Sequence, residues 1–369
     1  MKSRAAVLFD VPGKWEVVEV DVDEPRDHEV LVRYVSAGLC HSDDHLTKGD
    51  VPFGHYPVCG GHEGAGVIEA VGAGVRGLQV GDHIVAAWIP GCGRCKWCAA
   101  GMQNLCDVGM HMMTGAQLDG TFRMHYQGKD VGQASMVSTF AEYSVIPEAA
   151  AVKIDSDIPL QTAALVGCGV ATGWGSSVNA AGVRPGDVVI VMGVGGIGIN
   201  SVQGAKHAGA TRIIAVDPVE FKRNKAIELG ATDVCNGIED AAALARSMTN
   251  GQGADSAIVT VGVVKPENVG GAFSAIRKGG TVVVAGVANV NDAVIPVNLF
   301  ELAMFQKRIQ GALFGMMSPS SSTPFLLQLY QAGQLRLDEL ITRRYSLEDI
   351  NQGYDDLHAG VNIRGVIDF

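Results

Sequence analysis

The chain has 369 residues, 47% hydrophobic and 18% charged, which suits more than one buried core and excludes a disordered polymer. A net charge of −11 excludes nucleic acid or an anionic membrane surface as the main partner, and no apolar run reaches membrane-spanning length. The eight cysteines are spaced for metal rather than for a disulfide framework, so the sequence places the protein in the cytoplasm, where thiols stay reduced.

Up to about residue 90 the sequence predicts short strands at 5–9, 15–20, 29–35 and 64–71, with Gly81-Asp82 marking a turn. Two polar clusters lie in this β-rich part: Gly38-Leu39-Cys40-His41-Ser42-Asp43-Asp44-His45, and Gly60-Gly61-His62-Glu63-Gly64. Next comes Cys92, Cys95, Cys98 and Cys106, a C-x2-C-x2-C-x7-C pattern. Four thiolates so close in sequence fold around one tetrahedral ion and leave no open coordination position, so this lobe reads as a structural zinc site. Merely buried or paired cysteines are the plainer alternative; an iron–sulfur centre would need a redox partner that nothing here indicates. A polar, glycine-bearing segment at 107–138 carries no predicted element, and strands resume near 140–146.

From about residue 170 strands and helices alternate. Strands are predicted at Val188–Met192, Arg212–Val216, 255–261 and 281–285, and helices at 221–229, 240–249 and 266–276. This is the pattern of a doubly wound parallel sheet of the α/β class. Within it, Gly193, Gly195 and Gly198 turn the chain from strand to helix, and Asp217 closes the following strand. Such a unit binds a dinucleotide: the glycines allow a tight turn and close approach to a pyrophosphate, while the helix N-terminus offers N–H groups. Asp217 would accept from a free ribose hydroxyl and repel a 2′-phosphate, and Pro218-Val219-Glu220 adds no arginine, which favours NAD over NADP. An amphipathic segment at 325–332, a strand at 342–346, a helix at 347–358 and a short final strand end the chain. The expected division is a nucleotide domain at 170–313 inserted into a second domain formed by 1–169 and 314–369.

Cys40, His62 and Cys168 are far apart in sequence, and each alone is compatible with a core position. Together, two thiolates and an imidazole leave a fourth zinc position open. With these motifs, the four-cysteine lobe, Gly167-Cys168-Gly169 and the Gly193–Gly198 turn with Asp217, the chain resembles the zinc-dependent medium-chain alcohol dehydrogenases along its whole length. Asp119-Gly120-Thr121-Phe122-Arg123 and Ser138-Thr139-Phe140-Ala141-Glu142-Tyr143 resemble the actinobacterial NDMA-dependent, or nicotinoprotein, branch.

The resemblance implies a GroES-like β-rich catalytic domain and a Rossmann cofactor domain. It implies two zinc ions per chain: a catalytic one on Cys40, His62 and Cys168, and a structural one on Cys92, Cys95, Cys98 and Cys106. Glu63 would stand behind the catalytic ion, and Asp43 would orient His62. Ser42 would take the alcohol proton and pass it through the nicotinamide ribose to His45. NAD(H) would be held by His41, Thr172, Gly193, Gly195, Gly196, Ile197, Gly198, Asp217, Lys222 and Arg364. His41 stands where many relatives carry an arginine on the pyrophosphate. The pocket would be lined by Trp88, Ala134, Ser135 and Leu313, with Met110 and Met112 at its mouth, which suits an apolar primary alcohol, bulky or aromatic. Val51 and Met110 occupy positions where thiol-adduct formaldehyde dehydrogenases place charged residues. The branch resemblance adds a permanently bound NAD reoxidised by an external carrier; a dehydrogenase exchanging free NAD is the alternative. Relatives of this kind are homodimers or homotetramers.

Overall fold

A computed structural model describes Met1–Phe369. The chain forms two compact units: Met1–Cys168 with Ser318–Ala359 and Arg364–Phe369, and Gly169–Met317 with Gly360–Ile363. In the first unit the opening strands are β1 (Lys2–Leu8), β2 (Glu16–Val22), β3 (Glu29–Gly38), β4 (Val58–Cys59), β5 (Gly64–Val71), β6 (His83–Ala86), β7 (Met124–Tyr126), β8 (Lys129–Gln133), β9 (Tyr143–Pro147) and β10 (Ala151–Lys153). β1, β2, β7, β8 and β4 close into a barrel in that order. Alternating residues fill it, among them Ala5, Val7, Val20, Met124 and Val131, all fully buried.

The second unit carries β11 (Val188–Met192), β12 (Arg212–Val216), β13 (Asp233–Cys235), β14 (Ala254–Val259), β15 (Ile276–Val284) and β16 (Arg308–Gly311). They form one sheet in the order β13-β12-β11-β14-β15-β16, and every pairing is parallel. Helices Gly198–His207, Glu220–Leu229, Ile238–Met248 and Pro266–Ala275 make the crossovers. Strands covered on both faces read as continuous apolar runs, as in Val188-Val189-Ile190-Val191. Ile190, Ile214, Val259 and Val282 are fully buried in its core, each side chain contributing about 1.5–3 kcal/mol.

The chain then re-enters the first unit through the helix Pro319–Gln331, β17 (Ile341–Tyr345), the helix Ile350–His358 and β18 (Arg364–Asp368). β18 pairs antiparallel with β3 and so completes a seven-stranded sheet, β10-β6-β5-β3-β18-β17, with β9 also on β3. This pairing sets the last strand beside the residues that lead into Cys40.

Three local expectations change. The segment at 107–138 is not featureless: it holds the β7–β8 hairpin, whose two-residue turn puts Gln127 at φ 51° and Gly128 at φ 75°. The strand expected from 140 begins at Tyr143, because the amide and carbonyl of Phe140 pair with Gly60 and Ala6 instead. Residues 41–48, placed in the β-rich part, form a helix.

Candidate catalytic site

That helix, His41–Lys48, builds half of the site in the first unit. It starts from an extended Cys40 and ends at Gly49, whose φ of 77° gives the left-handed stop. Asp43 and Asp44 in the first turn and Lys48 in the last complement its dipole. His62 and Glu63 precede β5, and Cys168 follows a 3₁₀ turn at Ala164–Gly167. The donor atoms of Cys40, His62, Glu63 and Cys168 lie within 4.8 Å of one another, and all four residues are buried.

Asp43 takes up the far side of His62. Its carboxylate is 3.0 Å from Nδ1 of His62 and accepts the Gly61 N–H at 3.0 Å. This fixes the proton on Nδ1 and leaves Nε2 to face the thiols. Burial pushes the Asp43 carboxyl up, with His62 pulling against it. The Cys40 thiol is drawn well below its ordinary range, first by a hydrogen bond from Cys168; that same bond, with burial, pushes Cys168 well above. The hydrogen bond between the thiols favours one thiolate over two, with Arg364 nearby drawing both down, and a bound cation would favour both thiolates. The donor set and its burial fit zinc.

Glu63 pairs with Arg364 from β18, both buried. Burial pushes the Glu63 carboxyl up to about 7, while the guanidinium opposes it. Gly38 lies against this pair and leaves no space for a Cβ. Ser42 and His45 stand three residues apart on one helix face. The Ser42 hydroxyl is 3.6 Å from Cys40 Sγ. His45 is 1% exposed; its Nδ1 is 2.8 Å from Asp50, and its buried Nε2 has no hydrogen-bond partner. The His41 ring lies 6.4 Å from that of His358, which with Lys48 bonds the buried Asp44. Trp88 meets the His62 ring edge-on at 5.9 Å, Ala134 belongs to the apolar core, and Met110 is 77% exposed.

The four-cysteine lobe is the second donor cluster. The Sγ atoms of Cys92, Cys95, Cys98 and Cys106 also lie within 4.8 Å of one another. Sulfur separations of 3.9 and 4.0 Å are far too long for disulfides. Backbone N–H groups point at the sulfurs: Cys92 N–H at Cys106, Cys95 N–H at Cys92, and Cys98 N–H at Cys95. The N–H groups of Cys98 and Asp107 hold the Cys95 thiol down to about 6. Burial pushes the Cys98 thiol up to about 12 and raises Cys106 as well, so the loop alone favours thiolates at only two of the four. Four sulfurs so placed fit a closed tetrahedral ion that would favour the rest.

In the second unit, Gly193 (φ 86°) turns the chain out of β11, and Gly198 sits against the Gly193 carbonyl, where a Cβ has no room. A Cβ on Gly195 would meet nothing within 4 Å, so its absence leaves open space in front of the backbone. Gly196 and Ile197 continue into the helix Gly198–His207, their carbonyls accepting from Asn200 and Ser201. Asp217 accepts from the N–H groups of Val194 and Val219, which ties the end of β12 to the glycine turn. Thr172 is buried in the helix Gly169–Gly175, and Lys222 lies on Glu220–Leu229. Sequence reading missed three supporting residues. Asp50 partners His45, and Thr260 donates to the Met192 and Gly193 carbonyls. Arg223 binds the carbonyls of Asp217 and Pro218 through Nη1. Only Arg223 had a signal, as a cation six residues after the acid.

Residues 26–156 match the alcohol dehydrogenase GroES-like domain, and residues 196–332 the zinc-binding dehydrogenase family. The NDMA-dependent alcohol dehydrogenase of Amycolatopsis methanolica is 52% identical over 100% of this chain and 99% of its own. Among solved structures, an alcohol dehydrogenase zinc-binding domain protein from Burkholderia ambifaria has a TM-score of 0.93 at 33% identity. Benzyl alcohol dehydrogenase from Acinetobacter calcoaceticus has a TM-score of 0.92 at 31%, and both comparisons cover 100% of this chain and 99% of the other. The fold and the donor sets thus define a zinc-binding dehydrogenase. The chain belongs to the zinc-dependent medium-chain alcohol dehydrogenases. Its fold class, a GroES-like β-rich domain with a doubly wound Rossmann domain, is the one expected.

Proposed function

We propose that this dehydrogenase oxidises apolar primary alcohols to aldehydes and keeps its NAD bound through the cycle, an external acceptor removing the hydride. The observation that carries the chemistry is the buried Cys40–His62–Cys168 cluster with Asp43 behind it. Held there, zinc supplies the Lewis acidity that makes an alcohol hydroxyl a better proton donor, and NAD supplies the hydride acceptor.

The chain's own residues do the rest. Asp43 locks the His62 tautomer and orientation. Ser42 accepts the alcohol proton at Oγ. His45, with its Nδ1 proton held by Asp50, has a free Nε2 lone pair and is the proton's final acceptor on the protein. Glu63 stands ready as a transient ligand and is otherwise neutralised by Arg364. Trp88 supplies an aromatic wall beside His62, which suits a bulky or aromatic alcohol. The buried surroundings exclude water and strengthen the electrostatics at the reacting atoms.

Within the second unit, Thr172 and Lys222 are offered to the cofactor beside the glycine turn; His41 and Arg364 are its candidate contacts from the first unit. Asp217 selects NAD, since Arg223 commits Nη1 to backbone carbonyls rather than to a 2′-phosphate. The external acceptor is suggested by the relative named as NDMA-dependent, and retention of the cofactor by the resemblance to that branch. The cysteines are all free thiols, which suits a cytoplasmic setting.

Metal analysis tests the zinc assignment. Cys168→Ser should remove one of two ions and abolish turnover with the fold intact. Cys95→Ser should remove the other ion and lower the melting temperature. A fully active wild-type protein holding one ion or none would contradict the assignment.

A further inference from the structure

At the opposite end of the parallel sheet from the glycine turn, the second unit has a polar cavity of about 370 Å³. Its walls come from the amino-terminal ends of four neighbouring strands. Asp187 precedes β11, Asp255 opens β14, Thr281 lies in β15 and Arg308 begins β16; Arg184 and Arg277 complete the rim. The glycine turn leaves the carboxyl end of β11, five residues away, so the two sites are on the order of 15 Å apart along the strand.

The charges in this cavity are not balanced. Asp255 is occupied: it pairs with Arg277 and accepts the Val188 N–H. Asp187 accepts the Arg184 backbone N–H at 2.9 Å, so it caps the local turn. The guanidinium groups of Arg184 and Arg308 line the cavity and make no side-chain hydrogen bond or ion pair at contact distance, Arg184 acting on Asp187 only through space. Arg184 lies just before β11 and Arg308 begins β16, three strand spacings apart, roughly 14 Å, and both line the cavity. Three arginines against two aspartates leave the cavity with an excess of positive charge in a chain of net charge −11, although Asp187 feels Arg184 and Arg277 through space. A tetrahedral oxyanion can present oxygen pairs to both arginines at once, which a single carboxylate cannot, and arginine is the side chain suited to such forked bonding. The Thr281 hydroxyl, buried on the cavity wall, can serve a third oxygen.

We propose that this cavity is a binding site for a phosphate group, separate from the nucleotide site and not dependent on the function assigned above. The occupant is free phosphate or a small phosphate monoester, and the test distinguishes them. Nucleotide-saturated protein is melted at constant ionic strength while inorganic phosphate, glycerol phosphate, citrate or chloride is titrated; a ligand of the native state raises the melting temperature saturably. Wild type should respond saturably to inorganic phosphate and not to chloride. Arg184→Gln and Arg308→Gln should each weaken the apparent phosphate affinity at least tenfold. Arg308→Lys should recover part of that loss, and oxidation of alcohol without phosphate should be unchanged in all three. A tighter response to glycerol phosphate than to phosphate would support the site and identify a monoester as its occupant; the reverse order would support it with free phosphate as occupant. Citrate matching phosphate, or equal phosphate responses in wild type and both glutamine variants, would overturn the proposal. So would a changed oligomeric state in those variants without any phosphate effect, since the arginines would then belong to a contact between copies.

Discussion

Asp43 is the residue that meets the far side of the His62 ring. It is 1% exposed, its carboxylate bonds both the ring and the Gly61 N–H, and its backbone N–H donates to the Cys40 carbonyl. Asp43→Asn keeps the shape but removes the charge that raises the basicity of the imidazole. Partners of this kind cost about 10–100-fold in metal affinity or activity when changed. The variant should therefore show weakened zinc retention and a comparable fall in kcat/KM, with an unaltered melting temperature once zinc is supplied in excess. Wild-type zinc affinity in Asp43→Asn would remove Asp43 from the machinery. His45 belongs to the same scale: it is 1% exposed and its Nδ1 is 2.8 Å from Asp50.

Among the elements, the segment from Asp119 to Gln133 shows what a local motif does. Arg123 is wholly buried and forks onto both oxygens of Glu29, while its Nη2 also reaches Asp119 at 2.7 Å. Arg26 joins Asp119 from the other side. Burial works against the Asp119 charge, but hydrogen bonds from Thr121 and then Arg123 hold its carboxyl well below the usual carboxylate range. A depressed native value means stability that is present above the unfolded value, near 3.9, and lost as pH falls toward the native one. Asp119→Asn should be less stable than wild type at neutral pH, and the gap should close as the medium is acidified below about pH 4. Denaturant melts across that range measure it, and a gap independent of pH would show that the charge is not responsible. Asp119-Gly120-Thr121-Phe122-Arg123 was visible in the sequence as a motif, but its partner Glu29 lies 94 residues away, and no local pattern reports such a pairing. The same limit separates the readable elements from the unreadable ones. β5, β11 and β12 could be bounded to the residue because each is a clear apolar run or alternation ended by a turn. The helix His41–Lys48 could not, since its faces are polar and its burial comes from the site packed over it. Metal-type spacing revealed the four-cysteine lobe; Cys40, His62 and Cys168 could be joined only through resemblance, because their meeting depends on tertiary folding.

For the whole molecule, the exposed apolar surface is uneven. Val290, Val294, Leu299, Phe300 and Met304 are each 65–77% exposed and cluster between β15 and β16, and β16 is an unpaired sheet edge. An open edge with an apolar border is unstable to association, and twofold pairing of two copies would cover both. Leu299→Glu combined with Phe300→Glu should yield monomers by light scattering where wild type is a dimer or larger; an unchanged mass would place the contact elsewhere. Cofactor retention is the broadest claim, and one optical titration reaches it directly. Protein purified without added nucleotide is mixed with an alcohol in the absence of any acceptor, and the absorbance of reduced nicotinamide is followed. A near-stoichiometric burst is expected, one that stays with the protein through gel filtration and disappears when a nitrosoaniline is added. No burst until free NAD is supplied, followed by steady turnover, would contradict it.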